Sequence, residues 1–126
     1  MSKEIIFSAD APAPIGPYSQ AVKKGNMLLV SGQIAIDPST GNIINQSIEE
    51  ETHQVMKNLL AVLKAAGMDF SHILKTTIFI KNMNDFAKIN TVYGSYFTAD
   101  FPARETVEVA RLPKDVQVEI SCIAML

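Results

Sequence analysis

Residues 47–81 read SIEEETHQVMKNLLAVLKAAGMDFSHILKTTIFIK, and this stretch decides the fold class. Ser47 and Glu50 match a capping box, in which both side chains bond free backbone donors at a helix start. Apolar residues then recur at helical spacing until Gly67, a natural C-terminal stop. This stripe consists of Ile48, Thr52, Val55, Met56, Leu59, Leu60, Leu63 and Ala66. The run 72–81 is rich in β-branched residues and predicts a strand.

The segments on either side predict the remaining elements. Residues 21–24 and 27–36 flank Gly25-Asn26 and predict a β-hairpin. Residues 105–110 and 116–126 predict two further strands. A second helix has its stripe on Phe86, Ile89, Asn90, Val92, Tyr93, Tyr96 and Phe97, with Asn90 as the polar exception. The order β-β-α-β-α-β-β predicts an α+β fold, with one mixed sheet and two helices packed on one of its faces.

The alternation in strand 72–81 divides its side chains between the two faces of the sheet. We expect one set to face the helices: Leu74, Thr76, Ile78 and Ile80. A second set would face away, joined by neighbours from the next strand: Lys75, Thr77, Phe79, Val107 and Val109. Apolar residues on an open sheet face are normally buried by another subunit, so we expect a homo-oligomer.

Composition restricts the class of protein. A chain of 126 residues with 48% hydrophobic residues fits one domain spanning 1–126. The net charge of −2 and the scattered Lys and Arg argue against nucleic acid or an anionic membrane as a partner. No apolar run approaches the roughly 20 residues that span a bilayer. The N-terminal residues do not resemble a signal peptide, and a single cysteine excludes an internal disulfide, so we expect a cytoplasmic protein.

Metal and nucleotide chemistry are not expected. His53 lies off the apolar stripe of its helix, and His72 lies in a loop before a strand, so both are expected to be solvated. Cys122 alternates with Val118 and Ile120 and is expected in the core. This spacing does not resemble a zinc site, and no glycine-rich phosphate loop is present in the sequence.

Arg104 lies in the run FPARETVEVA at 101–110. A strand arginine most often lies at an edge or extends its charge to water. Three features favour a ligand instead: Pro102 fixes the entry to the strand, Arg104 shares a face with Thr106 and Glu108, and a guanidinium suits a planar carboxylate. On this stretch alone the solvent-exposed interpretation is favoured.

Glu119 lies between Val118 and Ile120 and shares a strand face with Gln117 and Ser121. This face could be solvated, as one side of an antiparallel sheet often is. If the face is closed, Glu119 becomes a candidate general base for activating water. The two interpretations are equally supported by the local pattern.

Four further residues are weaker candidates: Tyr18, Ser31, Gly32 and Asn90. Each has a structural explanation. A tyrosine can lie in the core with its hydroxyl at the surface, Ser-Gly within a strand often marks a bulge, and a buried asparagine can cap a loop. Gly32 equally fits a close approach of the backbone to a ligand.

Several segments taken together strongly resemble the Rid family, also called YjgF, and within it the reactive intermediate deaminase A branch. They are IGPYSQAV (15–22), GNMLLVSGQIAIDPSTG (25–41), KTTIFIKNMNDFAKIN (75–90), FPARETVEVARLPKD (101–115) and VEI (118–120). The resemblance implies a chorismate-mutase-like α+β fold assembled as a homotrimer with clefts between neighbouring subunits. It also implies hydrolysis of reactive enamines and imines, such as 2-aminoacrylate, to 2-keto acids and ammonia without a cofactor.

The resemblance also implies roles for individual residues. Arg104 matches the arginine that binds the substrate carboxylate, and Glu119 matches the glutamate that positions or activates water. Five more positions are expected to line the substrate cleft: Tyr18, Ser31, Gly32, Asn90 and Thr106. Two positions depart from the family pattern, because Thr106 replaces a frequent cysteine and Glu105 replaces small residues. Alternation turns Glu105 away from the Arg104 side, so we expect the arginine to keep its role.

Two other functions remain alternatives. One is a non-catalytic trimer that binds small carboxylates such as keto acids and regulates amino-acid metabolism through a partner. The other is a ribonuclease or translation inhibitor, a role attached to relatives of the family. The acidic balance of charge disfavours this last alternative.

Overall fold

The computed structural model describes residues 2–126. Within this range the chain forms six strands and two α-helices. In chain order they are β1 (Glu4–Ile6), β2 (Ala21–Lys24), β3 (Met27–Gln33), α1 (Ile48–Ala65), β4 (Ile73–Ile80), α2 (Phe86–Gly94), β5 (Ala103–Glu108) and β6 (Val118–Met125). Short 3₁₀ turns precede β4, α2 and β6. The predicted α+β order is confirmed, and β1 is an addition to it.

The strands form one mixed sheet in the order β1-β2-β3-β6-β4-β5. Strand β5 runs parallel to β4 at one edge, and the other pairs are antiparallel. Helix α1 packs on β3 and β6, and α2 packs against α1, so both helices share one core with the sheet. The side chains of Thr76, Ile78 and Ile80 are buried in this core, as alternation predicts.

Helix α1 begins and ends where the sequence predicts. The Ser47 hydroxyl accepts a hydrogen bond from the Glu50 amide at 3.1 Å, which confirms the serine half of the capping box. At the other end Gly67 has a φ of 75°, a left-handed conformation that glycine adopts without a steric cost. The buried stripe differs from the prediction at one turn, where Val62 is fully buried and Leu60 is only partly buried.

Leu74 is the exception to the predicted alternation. Its side chain is 53% exposed, whereas Ile73 is buried. The pairing of β4 with β6 shifts register between Ile73 and Lys75, and such a shift turns the preceding side chain to the other face. The prediction that Leu74 faces the helices is therefore wrong.

The face of the sheet opposite the helices carries apolar side chains. Leu29 and Val107 are 48% and 44% exposed, and Phe79 is partly buried between the paired strands. Residues Lys75 and Thr77 lie on the same face, as predicted from the alternation of β4. We call this surface the open face. No helix in residues 2–126 is both long and apolar enough to cross a membrane.

Candidate active site

Arg104 projects from β5 towards α2. It lies opposite Thr76 in the parallel β4–β5 pair, and because paired residues share a face, its side chain is on the helix side of the sheet. Its Nη1 donates a hydrogen bond to Oδ1 of Asn90 at 2.6 Å. Its Cζ lies 5.2 Å from the ring centre of Tyr93 and 5.6 Å from that of Phe86, within the range of cation–π attraction. The guanidinium is therefore held on three sides.

A cavity of about 590 Å³ opens beside Arg104. It is lined by Asn90, Thr91, Tyr93, Gly94, Phe101, Pro102 and Arg104. The hydrogen bond to Asn90 uses Nη1, and the structure of residues 2–126 gives Nε and Nη2 no protein acceptor. Two parallel donors on a planar guanidinium fit the two oxygens of a carboxylate. We call this cavity and its arginine the Arg104 half-site.

Tyr93 on α2 and Thr106 on β5 flank Arg104. The Tyr93 hydroxyl lies 2.7 Å from Oγ1 of Thr76, and burial raises the pKa of Tyr93, so its ring stays neutral beneath the guanidinium. Thr106 shares the strand face of Arg104, and its Oγ1 is buried with no hydrogen-bond partner in the described part of the chain. A buried hydroxyl normally has such a partner, so a water, a bound molecule or a second chain would satisfy it.

Glu119 lies on the other face of the sheet. It is paired with Phe79 across the β4–β6 ladder, and its neighbours Val118 and Ile120 are fully buried on the helix side. Its side chain is partly buried, and this burial raises the pKa of the Glu119 carboxyl. Between residues 2 and 126 no Lys, Arg or His nitrogen forms an ion pair with Glu119. The carboxylate is thus partly desolvated and has no charge partner among residues 2–126.

Gly32 provides the space that the Glu119 side chain occupies. The β3–β6 register is irregular between Val30 and Gln33, which confirms a bulge at Ser31-Gly32. A Cβ added at Gly32 would lie 2.8 Å from Cδ of Glu119 and 3.0 Å from its Oε2. Any larger residue would therefore displace the carboxylate.

The Pro-rich segment before β2 forms the opposite wall of this site. Tyr18, Ser31, Gly32 and Glu119 all line a cavity of about 420 Å³. Most of its remaining wall is apolar and consists of Pro12, Ala13, Ile15, Ile34, Ile36 and Pro113. We call this cavity and its carboxylate the Glu119 half-site.

Ser31 and Gln20 hold the Pro-rich segment in place. The Ser31 hydroxyl donates a hydrogen bond to the Ser19 carbonyl at 2.6 Å, which leaves its lone pairs available. Gln20 is 2% exposed and bonds Ser8 through both side-chain atoms, at 2.7 and 3.0 Å. Its amide nitrogen also donates to the Pro12 carbonyl at 2.9 Å. Sequence reasoning missed this role of Gln20, because its partners are backbone groups of a segment without regular structure.

Comparison with known proteins places the chain in a family. A sequence model of the family described as Endoribonuclease L-PSP matches residues 8–126. The chain is 55% identical over 122 residues to a RutC family protein of Pyrococcus horikoshii, covering 97% of each chain. It belongs to the Rid (YjgF) family. The chain is also 44% identical over 126 residues to the chloroplastic Reactive Intermediate Deaminase A of Arabidopsis thaliana, covering 100% of this chain and 67% of that one.

A solved structure of a Rid-family relative carries a ligand. The chain superposes on E. coli TdcF with bound serine at a TM-score of 0.94, with 44% identity and 98% of each chain covered. The mixed sheet with two helices is therefore the fold of this family, as predicted, and β1 is a sixth strand that the prediction lacked.

Three residues outside the two half-sites lie as the sequence predicts for a Rid-family chain: Glu105, Cys122 and His53. Glu105 points to the open face, where it accepts from Lys75 Nζ at 3.1 Å and Thr77 Oγ1 at 3.3 Å. The Lys75 ammonium lowers the pKa of Glu105. Cys122 is buried, and this burial raises its pKa to about 12, so its thiol is unreactive. His53 is exposed and its Nδ1 lies 2.6 Å from the Tyr96 hydroxyl. Residues 2–126 contain no cluster of side chains suited to a metal ion.

The two charged candidates do not meet within one chain. The structure groups Tyr18, Ser31 and Gly32 with Glu119 on the open face. It groups Asn90 and Thr106 with Arg104 on the helix side. The sheet separates the two groups, so Arg104 and Glu119 of the same Rid-family chain cannot bind opposite ends of one small molecule.

Proposed function

We propose that the chain hydrolyses small 2-imino acids and their enamine tautomers, including 2-aminoacrylate, 2-iminopropanoate and 2-iminobutanoate. The products would be 2-keto acids and ammonia. The observation that carries this proposal is the division of complementary groups between two half-sites. In the described part of the chain, one offers an oriented guanidinium with free donors, and the other offers a carboxylate with no charge partner.

The complete site would form where the Arg104 half-site of one copy meets the Glu119 half-site of its neighbour. The two surfaces differ, so this contact is head-to-tail, and head-to-tail contacts close into rings when the rotation permits. The resemblance to the Rid family implies a ring of three. The exposed apolar residues Leu29 and Val107 of the open face support burial by a neighbouring copy.

The chemistry follows from the two charges. Arg104 would bind the substrate carboxylate through Nε and Nη2, while Asn90 keeps Nη1 in place. Glu119 would take a proton from water as the water oxygen bonds to the imine carbon. The nitrogen takes up the C=N electron pair and a proton from solvent, which gives a carbinolamine. Glu119 then donates its proton to this nitrogen, and the C–N bond breaks to release ammonia. As the C=O of the keto acid forms, Glu119 takes the hydroxyl proton and returns it to solvent. Water is the only co-reactant in this balance.

The environment of each group supports its proposed role. A fixed guanidinium orients the imine relative to the carboxylate, and orientation of this kind contributes strongly to rate. Burial raises the pKa of Glu119 above its ordinary value, which makes its carboxylate a stronger base. Tyr18, Ser31, Gly32 and Thr106 would complete the cleft around the substrate.

A binding function without turnover is the second candidate. The relative TdcF of E. coli has serine bound, and serine is an amino acid without an imine bond. The same pair of half-sites could bind small carboxylates and regulate a partner. Turnover separates the two candidates, because a binding protein would leave the rate of imine hydrolysis unchanged.

The test supplies freshly generated 2-iminopropanoate and measures pyruvate release above the rate in buffer. We expect release by the wild type and loss of release in Arg104→Ala and Glu119→Gln. Arg104→Lys keeps the charge but lacks the parallel donors, so it should also lose most activity. Arg111→Ala changes an exposed arginine paired with Asp115 and serves as the control. Wild-type protein no faster than buffer would exclude the enzyme function.

A labelled RNA incubated in parallel tests the activity that the family description suggests. We expect no cleavage, because the chain has a net charge of −2 and its basic residues are scattered. Cleavage abolished by Arg104→Ala would instead favour the ribonuclease alternative.

A further inference from the structure

Glu51 is a buried carboxylate in the first part of α1. It is 1% exposed, and carboxylates are almost never buried to this extent without a compensating partner. Within the described chain no basic side chain forms an ion pair with it. Its partners are instead two backbone amides: Oε2 accepts from Gln117 N at 2.7 Å and from Val118 N at 3.2 Å. A side chain of the helix thus bonds directly to the beginning of a strand.

The beginning of β6 lacks a neighbour on one side. The pairing of β6 with β3 ends at Ile120, opposite Gln33, so the residues before it extend beyond that partner strand. The other side is paired, since Val118 lies opposite Ile80 and the Gln117 carbonyl accepts from the Lys81 amide at 2.9 Å. The chain bends at Gln117, which lets two successive amides reach one oxygen. The Glu51 carboxylate therefore takes the place of a missing strand.

The two amides that bond to Glu51 directly precede Glu119. The position of these amides sets where β6 begins in the sheet. The start of β6 in turn sets how the Glu119 side chain lies against Gly32. The segment before them gives little support of its own, because Lys114 and Asp115 both have a positive φ of 56°. Non-glycine residues in this region store strain and need outside contacts to hold them.

We propose that Glu51 is a positioning residue that fixes the carboxylate of Glu119 in the cleft by holding the backbone of Gln117 and Val118. The proposal rests on the proposed function of Glu119 as the group that directs water. The proposal predicts that loss of the Glu51 contact affects the chemical step but not substrate binding. A shift of β6 would move the group that acts on water, while the substrate grip of Arg104 on β5 and α2 would stay intact.

Two substitutions test the acceptor itself. Glu51→Asp keeps the charge but withdraws the oxygens by one methylene, whereas Glu51→Gln keeps an acceptor oxygen at full reach and loses the charge. We expect Glu51→Asp to lower kcat for 2-iminopropanoate about tenfold with KM unchanged, since small displacements of a catalytic group are costly. Glu51→Gln should keep kcat within about twofold of the wild type. Glu50→Asp, on the exposed side of the same turn, is the matched control.

A second readout requires no turnover. The titration of the Glu119 carboxyl, followed by NMR, should have a different midpoint in Glu51→Asp and an unchanged midpoint in Glu50→Asp. Wild-type kcat and an unchanged midpoint in Glu51→Asp would overturn the positioning role. Equal losses in kcat and in keto-acid affinity would overturn it too, because the damage would then reach Arg104. A wild type without turnover whose Glu119 midpoint still responds to Glu51→Asp would exclude the enzyme function while keeping the structural link.

Discussion

The Arg104 half-site and the Glu119 half-site hold opposite charges by opposite means. Arg104 is fixed by attraction, through a hydrogen bond from Nη1 to Asn90 and by the faces of the Phe86 and Tyr93 rings. Glu119 has no charge partner within residues 2–126. Its side chain packs directly against Gly32, at a position where a Cβ on residue 32 would clash with the carboxylate. The first arrangement suits binding of a substrate carboxylate, and the second suits removal of a proton from water.

This difference has a physical reason. A guanidinium that already has partners loses little conformational freedom when a carboxylate arrives, and its remaining donors are oriented in advance. A carboxylate that had such partners would be a weaker base, because partners stabilise its charged form. Burial without partners has the reverse effect, and it raises the pKa of Glu119. Each half-site is therefore suited to one of the two tasks that imine hydrolysis requires.

The largest expected effect comes from mixing the two inactive variants. Arg104→Ala and Glu119→Gln chains, coexpressed with different tags and purified through both tags, should recover activity. A head-to-tail site takes each half from a different chain, so each mixed ring of three would contain one site with both native halves, about a third of the sites after purification through both tags. Activity is measured as pyruvate release from 2-iminopropanoate. Each variant alone serves as the control and should stay inactive.

Failure of this complementation would contradict the idea that the two half-sites are parts of one site. If chains with both tags copurify in one oligomer and no activity returns, the two half-sites do not combine across a subunit contact. A monomeric mass in solution would remove the inter-subunit site altogether.

Gly32→Ala tests whether the close contact with Gly32 holds the Glu119 side chain in place. The added Cβ would lie 2.8 Å from Cδ of Glu119, so the carboxylate must move. We expect kcat to fall about 100-fold, the size expected for displacing a catalytic group by about 1 Å. Gly16→Ala is the matched control, because its Cβ would lie at an ordinary 3.7 Å from the Tyr18 ring. Equal effects of the two substitutions would argue against a special role for the contact with Glu119.

Asn90→Ala tests the attraction that holds Arg104. Removal of the bond to Nη1 should raise KM about tenfold and leave kcat nearly unchanged, as expected for one hydrogen bond to a charged group. Lys88→Ala is the control on the same helix, since Lys88 is exposed and lies outside both half-sites. A fall in kcat without a change in KM would show that Asn90 serves the chemical step rather than binding.

Much of the fold was predictable because periodicity is a local property. The apolar stripe and its caps predicted α1 correctly, and alternation predicted that Thr76, Ile78 and Ile80 are buried. Strand β1 was missed because its residues Glu4–Ile6 are too few to show a period. Leu74 was misplaced because a register shift leaves no mark on the local pattern.

Local sequence patterns predicted less of the candidate site than of the fold. Alternation predicted that Arg104 and Thr106 share a face, but it does not say which face, since edge strand β5 is exposed along most of its length. The roles of Gln20 and Glu51 were missed for another reason. Each bonds backbone groups of a segment distant in sequence, and no spacing rule marks such contacts. The roles of Arg104 and Glu119 in catalysis stay predictions.

The smallest expected effect is on thermal stability. We expect the change in Tm to have opposite signs for a substitution in each half-site. Because burial raises the folded-state pKa of Glu119 above its ordinary value of 4.5, the ionised carboxylate is less favourable in the folded protein than in the unfolded chain. This penalty is fully present above the folded pKa and disappears as the pH falls towards 4.5. Glu119→Gln should therefore raise Tm by at most a few degrees at pH 7.5, at equal protein concentration, and the gain should vanish at low pH. Asn90→Ala should lower Tm instead. A Glu119→Gln protein less stable than the wild type at pH 7.5 would mean that the folded state stabilises this carboxylate, and the contrast between the half-sites would fail.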